Sequence, residues 1–245
     1  MTGLDWIRGS PVAHRGLHDI KKGVPENSRL AFDKAAAAGH PVELDVHITR
    51  DGVPVVFHDH DLKRLCGENG KVAELDMATL AQKHLHGTAQ TIPSLADVCA
   101  TMAGRAPILV EVKSGLVDNP GALEEQTAKV LDAYKGAFAV QSFNPNTIDW
   151  FRRRRPGWTR GQIANDLKGY AGYASPLTIT RLAALLAQRM GEPQFVAYKV
   201  DDLPSGLSRW ARDKGLPVIA WTVRNAAQKQ RAAEFADNVI FEDLS

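Results

Sequence analysis

Short β-rich runs alternate with helical patterns along almost the whole chain, and this alternation limits the possible folds more than any other feature. Pro11–Val12–Ala13 reads as a short strand, and the helix after it is capped near Asn27 or Ser28. That helix runs through Leu30 and Phe32 to Gly39, which takes the position just past its end. Val42–Ile48 is the next strand. Further strands are predicted at Ile108–Lys113, Ala137–Phe143, Thr159–Ala164, Phe195–Lys199, Val218–Val223 and Asn238–Phe241. Helical patterns fit between them at about Asn119–Tyr134, Asn146–Arg155, Pro176–Met190, Pro204–Lys214 and Asn225–Ala236, with Gly136 and Pro156 as stops. Eight β/α units in 245 residues predict an α/β fold of the closed (β/α)8 TIM-barrel kind. An open doubly wound sheet competes, but no GxGxxG follows the first strand and eight units favour closure. The chain reads as a single domain over residues 1–245, with a small insertion at about 61–91.

Two stretches break the alternation. Only seven residues separate Val46 from Pro54, too few for a parallel crossover. Asp51–Gly52 is a strong two-residue hairpin signal, so Val55–His58 is expected to fold back antiparallel on the second strand. A turn centred there pairs Asp45 with His58 and delivers the imidazole to the carboxylates. The second break is the polar segment Asp61–Thr91, with Gly67, Gly70 and a short helical piece near Met77–Lys83. It reads as an insertion between the second strand and the helix that starts at Ser94, placed where barrel loops commonly roof an active site.

Composition narrows the function classes. With 44% apolar and 24% charged residues, the chain can bury a large core without disulfide or metal staples. A net charge of +2 demands neither nucleic acid nor membrane, so any preference for anions must be local. Cys66 and Cys99 are isolated and form no CxxC pair, which argues against a zinc cage and fits reduced thiols in a cytoplasmic setting. Met1–Trp6 lacks the basic and apolar regions of a signal peptide, and no apolar run approaches a membrane span.

Chemistry-bearing residues gather at the ends of the early strands. Glu43 and Asp45 share one face because strand side chains alternate, and Glu111 and Lys113 repeat that spacing on the next parallel strand. Three carboxylates converging in a barrel need compensation. Either a hard divalent cation supplies it, with Mg²⁺ or Ca²⁺ suited to all-oxygen ligands, or the acids form a buried network with Lys113 and Arg15. His14 and His58 stand at strand ends beside these acids and are candidates for general base and general acid, against the ordinary reading of a packed histidine. Arg15 and Lys113 suit phosphate, one through a planar fork and the other as a point charge.

The order of the motifs is specific. The chain resembles the bacterial glycerophosphodiester phosphodiesterases over nearly its whole length. The resemblance rests on His14–Arg15–Gly16, Glu26–Asn27–Ser28, Glu43–Leu44–Asp45–Val46, Thr49–Arg50–Asp51–Gly52 and Val55–Val56–Phe57–His58–Asp59. Ile92–Pro93–Ser94–Leu95, Glu111–Val112–Lys113, Gln141–Ser142–Phe143–Asn144 and Trp221–Thr222–Val223 continue it. It implies a (β/α)8 barrel with a small insertion after the second strand, and metal-dependent hydrolysis of glycerophosphodiesters to an alcohol and glycerol 3-phosphate. By matching motifs it implies Glu43, Asp45 and Glu111 as ligands of Mg²⁺ or Ca²⁺. It implies His14 and His58 as the acid–base pair, and Arg15 and Lys113 as phosphate binders. Glu26 would support the site through Arg15, and Trp221 would form an apolar wall, although barrel core remains open for it. Where many members end the last strand with Thr-Asp, this chain has Phe241–Glu242, and no role is carried to that position.

Two rival readings stand beside this one. A phospholipase D-like hydrolysis of lysophospholipid or other lipid headgroups needs an apolar channel or membrane-facing loop, and the sequence shows no exposed anchor. A non-catalytic anion-binding role would rest on Arg152–Arg155, but the run ends a helix pattern, where arginines favour the dipole and a solvated face. The expected partner is therefore a small glycerophosphodiester, with no nucleic acid and no stable membrane insertion.

Overall fold

The computed structural model describes residues 4–242 and shows a (β/α)8 barrel with one additional antiparallel strand. The strands are β1 (Val12–Ala13), β2 (Val42–Ile48), β3 (Pro54–Val56), β4 (Ile108–Val112) and β5 (Phe138–Ser142). They continue with β6 (Arg160–Ala164), β7 (Phe195–Lys199), β8 (Val218–Val223) and β9 (Asn238–Phe241). The sheet order is β1-β9-β8-β7-β6-β5-β4-β2-β3, and β1 also pairs with β2. The helices are α1 (Asp5–Gly9), α2 (Arg29–Ala37), α3 (Lys63–Cys66), α4 (Met77–Leu80) and α5 (Leu95–Met102). The later ones are α6 (Ala122–Ala133), α7 (Pro145–Arg154), α8 (Pro176–Ala187), α9 (Gly206–Asp213) and α10 (Ala226–Phe235). None of the described helices is long and apolar enough to cross a membrane. The chain divides into two compact units, one of Ala13–Lys113 with Gly121–Phe138 and the other of the remaining segments.

In the first unit, β2 is buried from Val42 to His47, as a strand covered on both faces must be. Its Val42, Leu44 and Val46 alternate with Glu43 and Asp45, so apolar and acidic side chains leave opposite faces. β4 runs parallel beside it in a register that sets Asp45 opposite Glu111. The sequence foresees α2 and α5 through their caps. Ser28 Oγ accepts from the Ala31 amide at the start of α2, and Gly39 follows its end at φ +78°. Ser94 and Asp97 form a capping box on α5.

The hairpin differs from expectation. β3 does pair antiparallel with β2, but the partners are Val46 with Val56, His47 with Val55 and Ile48 with Pro54. Continuing that register sets Asp45 opposite Phe57, whose amide donates to the Asp45 carbonyl at 3.0 Å, rather than opposite His58. The turn holds one residue more than the two-residue reading. Thr49 donates its amide to Val53, the Gly52 amide closes on Thr49, and Gly52 takes φ +79°. A three-residue loop with a left-handed glycine thus replaces the two-residue turn and shifts the register by one. His58 lies beyond the end of β3 and is placed by side-chain contacts instead.

The insertion is more than polar loop. Leu62, Leu65, Val72, Leu80, Leu85 and Ile92 are buried with Val55 and Phe57 in a cluster of their own. Two short helices, α3 and α4, are anchored on that core.

In the second unit, α1, unforeseen in the sequence, buries Trp6 and Ile7, and Asn238 Nδ2 donates to the Ile7 and Ser10 carbonyls at 2.8 Å. α7 starts as proline and Asn144 dictate, with Pro145 in its first turn and the Asn144 side chain accepting from the Asn146 amide. The arginine run closes this helix. Arg152 and Arg153 pair with Asp149, while Arg154 and Arg155 lie over Trp150 and Trp158 at 5.9 and 5.8 Å. α8, although rich in leucine and alanine, buries only Leu182 fully.

Candidate active site

All three predicted metal ligands meet. Glu43 and Asp45 of β2 and Glu111 of β4 each offer a carboxylate oxygen, and these atoms lie within 4.8 Å of one another. All three residues are buried. Two cations accompany them. Lys113, just past β4, lies 2.9 Å from Glu111 and 3.2 Å from Asp45. Arg15 lies 3.3 Å from Asp45 through Nε and 2.6 Å from Glu26 through Nη1. The buried network that the spacing allowed is therefore present.

Compensation within the cluster is uneven. Burial alone would raise Asp45, but Lys113 and Arg15 outweigh it and hold that carboxyl below its ordinary value. Glu43 goes the other way: burial, then the charges of Asp45 and Glu111, push it well above the usual carboxylate range despite Arg15 and Lys113. Burial opposes the charges of Arg15 and Lys113, yet the surrounding acids more than offset it and raise both. Asp45 Oδ2 accepts from Asn27 Nδ2 at 2.9 Å, whereas its buried Oδ1 has no well-directed hydrogen bond. Three buried carboxylates against two cations leave an excess of formal negative charge, and such a cluster suits a hard cation.

Local backbone geometry explains the first motif. Arg15 and Asn27 are non-glycine residues at φ +55° and +54°, a conformation costing about 1–3 kcal/mol each. The Asn27 amide donates to the Arg15 carbonyl at 3.0 Å, so the two left-handed turns brace one another. Gly16 follows at φ +83°, where a Cβ would stand 2.7 Å from the Ala31 backbone; only glycine fits against α2.

The histidines arrive from different elements. His14, buried just past β1, has Nε2 3.9 Å from Glu43. His58 Nδ1 lies 2.7 Å from Asp59 Oδ1. His47 Nε2 is 3.0 Å from the His58 carbonyl; because a carbonyl only accepts, this nitrogen carries a proton. Burial pushes His47 down to about 4. Three participants escaped the sequence reading. Asn27 orients Asp45, Asp59 orients His58, and Arg64 of α3 bonds both Asp59 and Glu26. Glu26 is held at about 2: burial would raise it, but the bonds and charges of Arg64 and Arg15 prevail. Asp59 is likewise about 2, with Arg64 and His58 overcoming its burial. Asn27 and Asp59 stand in the sequence motifs without an assigned role in the site, and Arg64 stands in none of them.

In the second unit, Trp221 on β8 is half-buried and meets Phe143 edge-on at 5.5 Å. Phe143 meets Tyr170 at 6.4 Å, and Tyr170 meets the exposed Tyr173 at 5.7 Å. Trp221 therefore ends an aromatic series that reaches solvent. Glu242, the departure from the family pattern, pairs with Arg224 at 2.6 Å.

Comparison with known proteins adds independent evidence. A model of the glycerophosphoryl diester phosphodiesterase family matches residues 14–243. A glycerophosphodiester phosphodiesterase of Caldanaerobacter subterraneus is 26% identical over 95% of this chain and 93% of its own length. Glycerophosphodiester phosphodiesterase 1 of Homo sapiens is 27% identical over 91% of this chain and 74% of its own length. An Oleispira antarctica phosphodiesterase, solved in complex with the product sn-glycerol-3-phosphate, superposes with a TM-score of 0.76 at 20% identity, covering 96% of this chain and 93% of that one. A glycerophosphodiester phosphodiesterase from Parabacteroides distasonis gives 0.72 at 21% identity, covering 95% and 92%. At these identities the structural likeness speaks for the fold.

Proposed function

Because the chain belongs to the glycerophosphoryl diester phosphodiesterase family and is an enzyme of that kind, we propose that it cleaves its substrate to an alcohol and glycerol 3-phosphate. In this reading Glu43, Asp45 and Glu111 hold Mg²⁺ or Ca²⁺, and His14 and His58 exchange the protons. The observation that carries it is the convergence of three buried carboxylates whose mutual repulsion Arg15 and Lys113 do not fully relieve. The product complex of the Oleispira antarctica relative supports the choice of product.

A cation held by Glu43, Asp45 and Glu111 would supply neutralisation of the negative charge on the phosphate. The chain's own side chains do the rest. Arg15 and Lys113 present cationic donors to the phosphate, and Glu26 steadies Arg15 through its 2.6 Å bond. One imidazole takes the proton of the attacking hydroxyl and the other protonates the leaving alkoxide. Water as attacker gives glycerol 3-phosphate directly, whereas the glycerol 2-hydroxyl gives a cyclic phosphate that a water molecule then opens, with the two imidazoles exchanging roles. The ionised Asp59 can only accept, so His58 Nδ1 holds a proton and Nε2 is the nitrogen that works.

A second reading has a specific observation behind it. Tyr173 and Leu177 are 68% and 70% exposed, and the aromatic series runs from Tyr173 back to Trp221. An exposed apolar anchor, unforeseen in the sequence, favours lipid-headgroup hydrolysis, with lysophosphatidylcholine giving choline and lysophosphatidic acid.

One assay separates these readings. Metal-stripped protein is given glycerophosphocholine, glycerophosphoethanolamine or lysophosphatidylcholine, with and without Mg²⁺ or Ca²⁺. The expected result is metal-dependent glycerol 3-phosphate release from the first two. Faster choline release from the lysolipid selects the second reading, and no release from folded protein with either metal overturns both.

A further inference from the structure

Arg64 projects from α3, in the insertion, and its guanidinium spans two carboxylates at once. Nε and Nη2 donate to Asp59 Oδ2 and Oδ1 at 2.7 and 2.8 Å. Nη1 and Nη2 donate to Glu26 Oε2 and Oε1 at 2.8 and 2.9 Å. Both ends are bidentate, a geometry that a planar fork can satisfy and an ammonium cannot.

Each carboxylate holds a different proposed working residue. Asp59 Oδ1 accepts from His58 Nδ1 at 2.7 Å, and Glu26 Oε1 accepts from Arg15 Nη1 at 2.6 Å. One guanidinium therefore links the imidazole and the phosphate-binding arginine, which come from segments about 40 residues apart. Neighbouring Leu65 is fully buried in the insertion's own core, so α3 has a fixed seat from which to reach across. The depressed Glu26 and Asp59 carboxyls agree with this arrangement, since both are ionised at neutral pH.

We infer that Arg64 is a positioning residue that fixes His58 through Asp59 and Arg15 through Glu26, making the insertion a clamp on the active site. The inference rests on the phosphodiesterase reading for its activity consequences, but not for its structural ones. Loss of the fork frees Asp59 and Glu26 to turn, so His58 loses its fixed tautomer and Arg15 its aim. Groups that orient a working side chain in this way are typically worth about 10–100-fold.

The test measures kcat and KM for Arg64→Ala, Arg64→Gln and Arg64→Lys on glycerophosphocholine, with melting temperature as the folding control. The ring ¹⁵N shifts of His58 are recorded alongside. The expected result is a fall in kcat/KM of about 10–100-fold in folded protein, shared between lower kcat and higher KM because both arms are loosened. Arg64→Lys recovers little. His58 changes from the Nδ1–H tautomer to an averaged signal. Adding Arg64→Gln to Asp59→Asn plus Glu26→Gln costs little more, because the clamp is already open. Unchanged kinetics, full rescue by lysine, an additive effect in the double background or an unchanged His58 spectrum each overturn the clamp. The wild-type rate in the same assay reports separately on the phosphodiesterase reading, and the imidazole spectrum judges the clamp even if that rate is zero.

Discussion

The end of β1 and the start of β6 each withdraw an arginine from solvent, and each satisfies it differently. Arg15 faces carboxylates: Glu26 at 2.6 Å and Asp45 at 3.3 Å. Arg160 faces backbone, donating to the carbonyls of Gly191 at 2.9 Å, Glu192 at 3.1 Å and Trp158 at 3.4 Å. The electrostatic result is opposite. Acids outweigh burial at Arg15 and raise it, whereas at Arg160 burial prevails and lowers it. Carbonyl partners are fixed by the fold, so Arg160 is bound into the architecture. Carboxylate partners can exchange their cation for another or turn toward a ligand, so the Arg15 region keeps chemistry in reserve.

The largest expected effect tests whether the acid-rich region alone carries turnover. His14→Ala and His58→Ala each lower kcat by about 10²–10⁴-fold while leaving the melting temperature near wild type. Near-normal turnover in both variants breaks the assignment. The second test crosses the two arginines. Arg15→Ala lowers kcat/KM by about 10²–10³-fold, as loss of a charge-stabilising donor does. Arg160→Met leaves activity per folded molecule unchanged, but strands buried carbonyls at about 1–3 kcal/mol each, lowering the melting temperature by at least about 6 °C. If Arg160→Met proves the worse enzyme, the contrast fails.

Acid sharpens the same comparison. Glu26 and Asp59 have ordinary values of 4.5 and 3.8 and folded values of about 2, so the unfolded chain binds their protons first. Their contribution is complete above about pH 4.5 and is lost as pH falls through about 2, and solvent screening at the partly exposed Asp59 leaves Glu26 the larger share. His47 acts earlier: buried, and held at about 4 against 6.5, it resists the proton that the unfolded chain accepts, so stability declines from about pH 6.5 to 4. Urea midpoints measured from pH 7 to 2 should fall in these two stages, and Arg64→Gln should flatten the lower one. A flat profile contradicts the network. The smallest effect concerns the thiols. Burial pushes Cys66 and Cys99 up to about 11, so maleimide labelling of the native protein at pH 7 should be slow beside a free thiol.

Much of this was legible in the sequence because the relevant spacings are short. Glu43 and Asp45 share a face through strand alternation, and Glu111 follows from parallel register with β2. The Ser28 and Ser94 caps likewise needed only local chemistry. The hairpin register was missed by one because Asp51–Gly52 fits both a two-residue turn and the longer loop that Thr49 and Val53 close. The insertion core was hidden because Leu62, Leu65, Val72, Leu80, Leu85 and Ile92 are spread thinly through a polar segment, too few per element to mark a long helix or strand. Arg64 left no signal at all: its bond to Glu26 spans 38 positions, and only the folded insertion brings the two together.

The central claim is that Glu43, Asp45 and Glu111 hold one divalent cation, and the most direct measurement is calorimetric titration of metal-stripped protein with Mg²⁺ and with Ca²⁺. The account predicts one site per chain for at least one of these metals, weakened about 10-fold or more in Glu111→Gln with the melting temperature otherwise preserved. No binding by folded wild-type protein, or binding that Glu111→Gln leaves untouched, would contradict it.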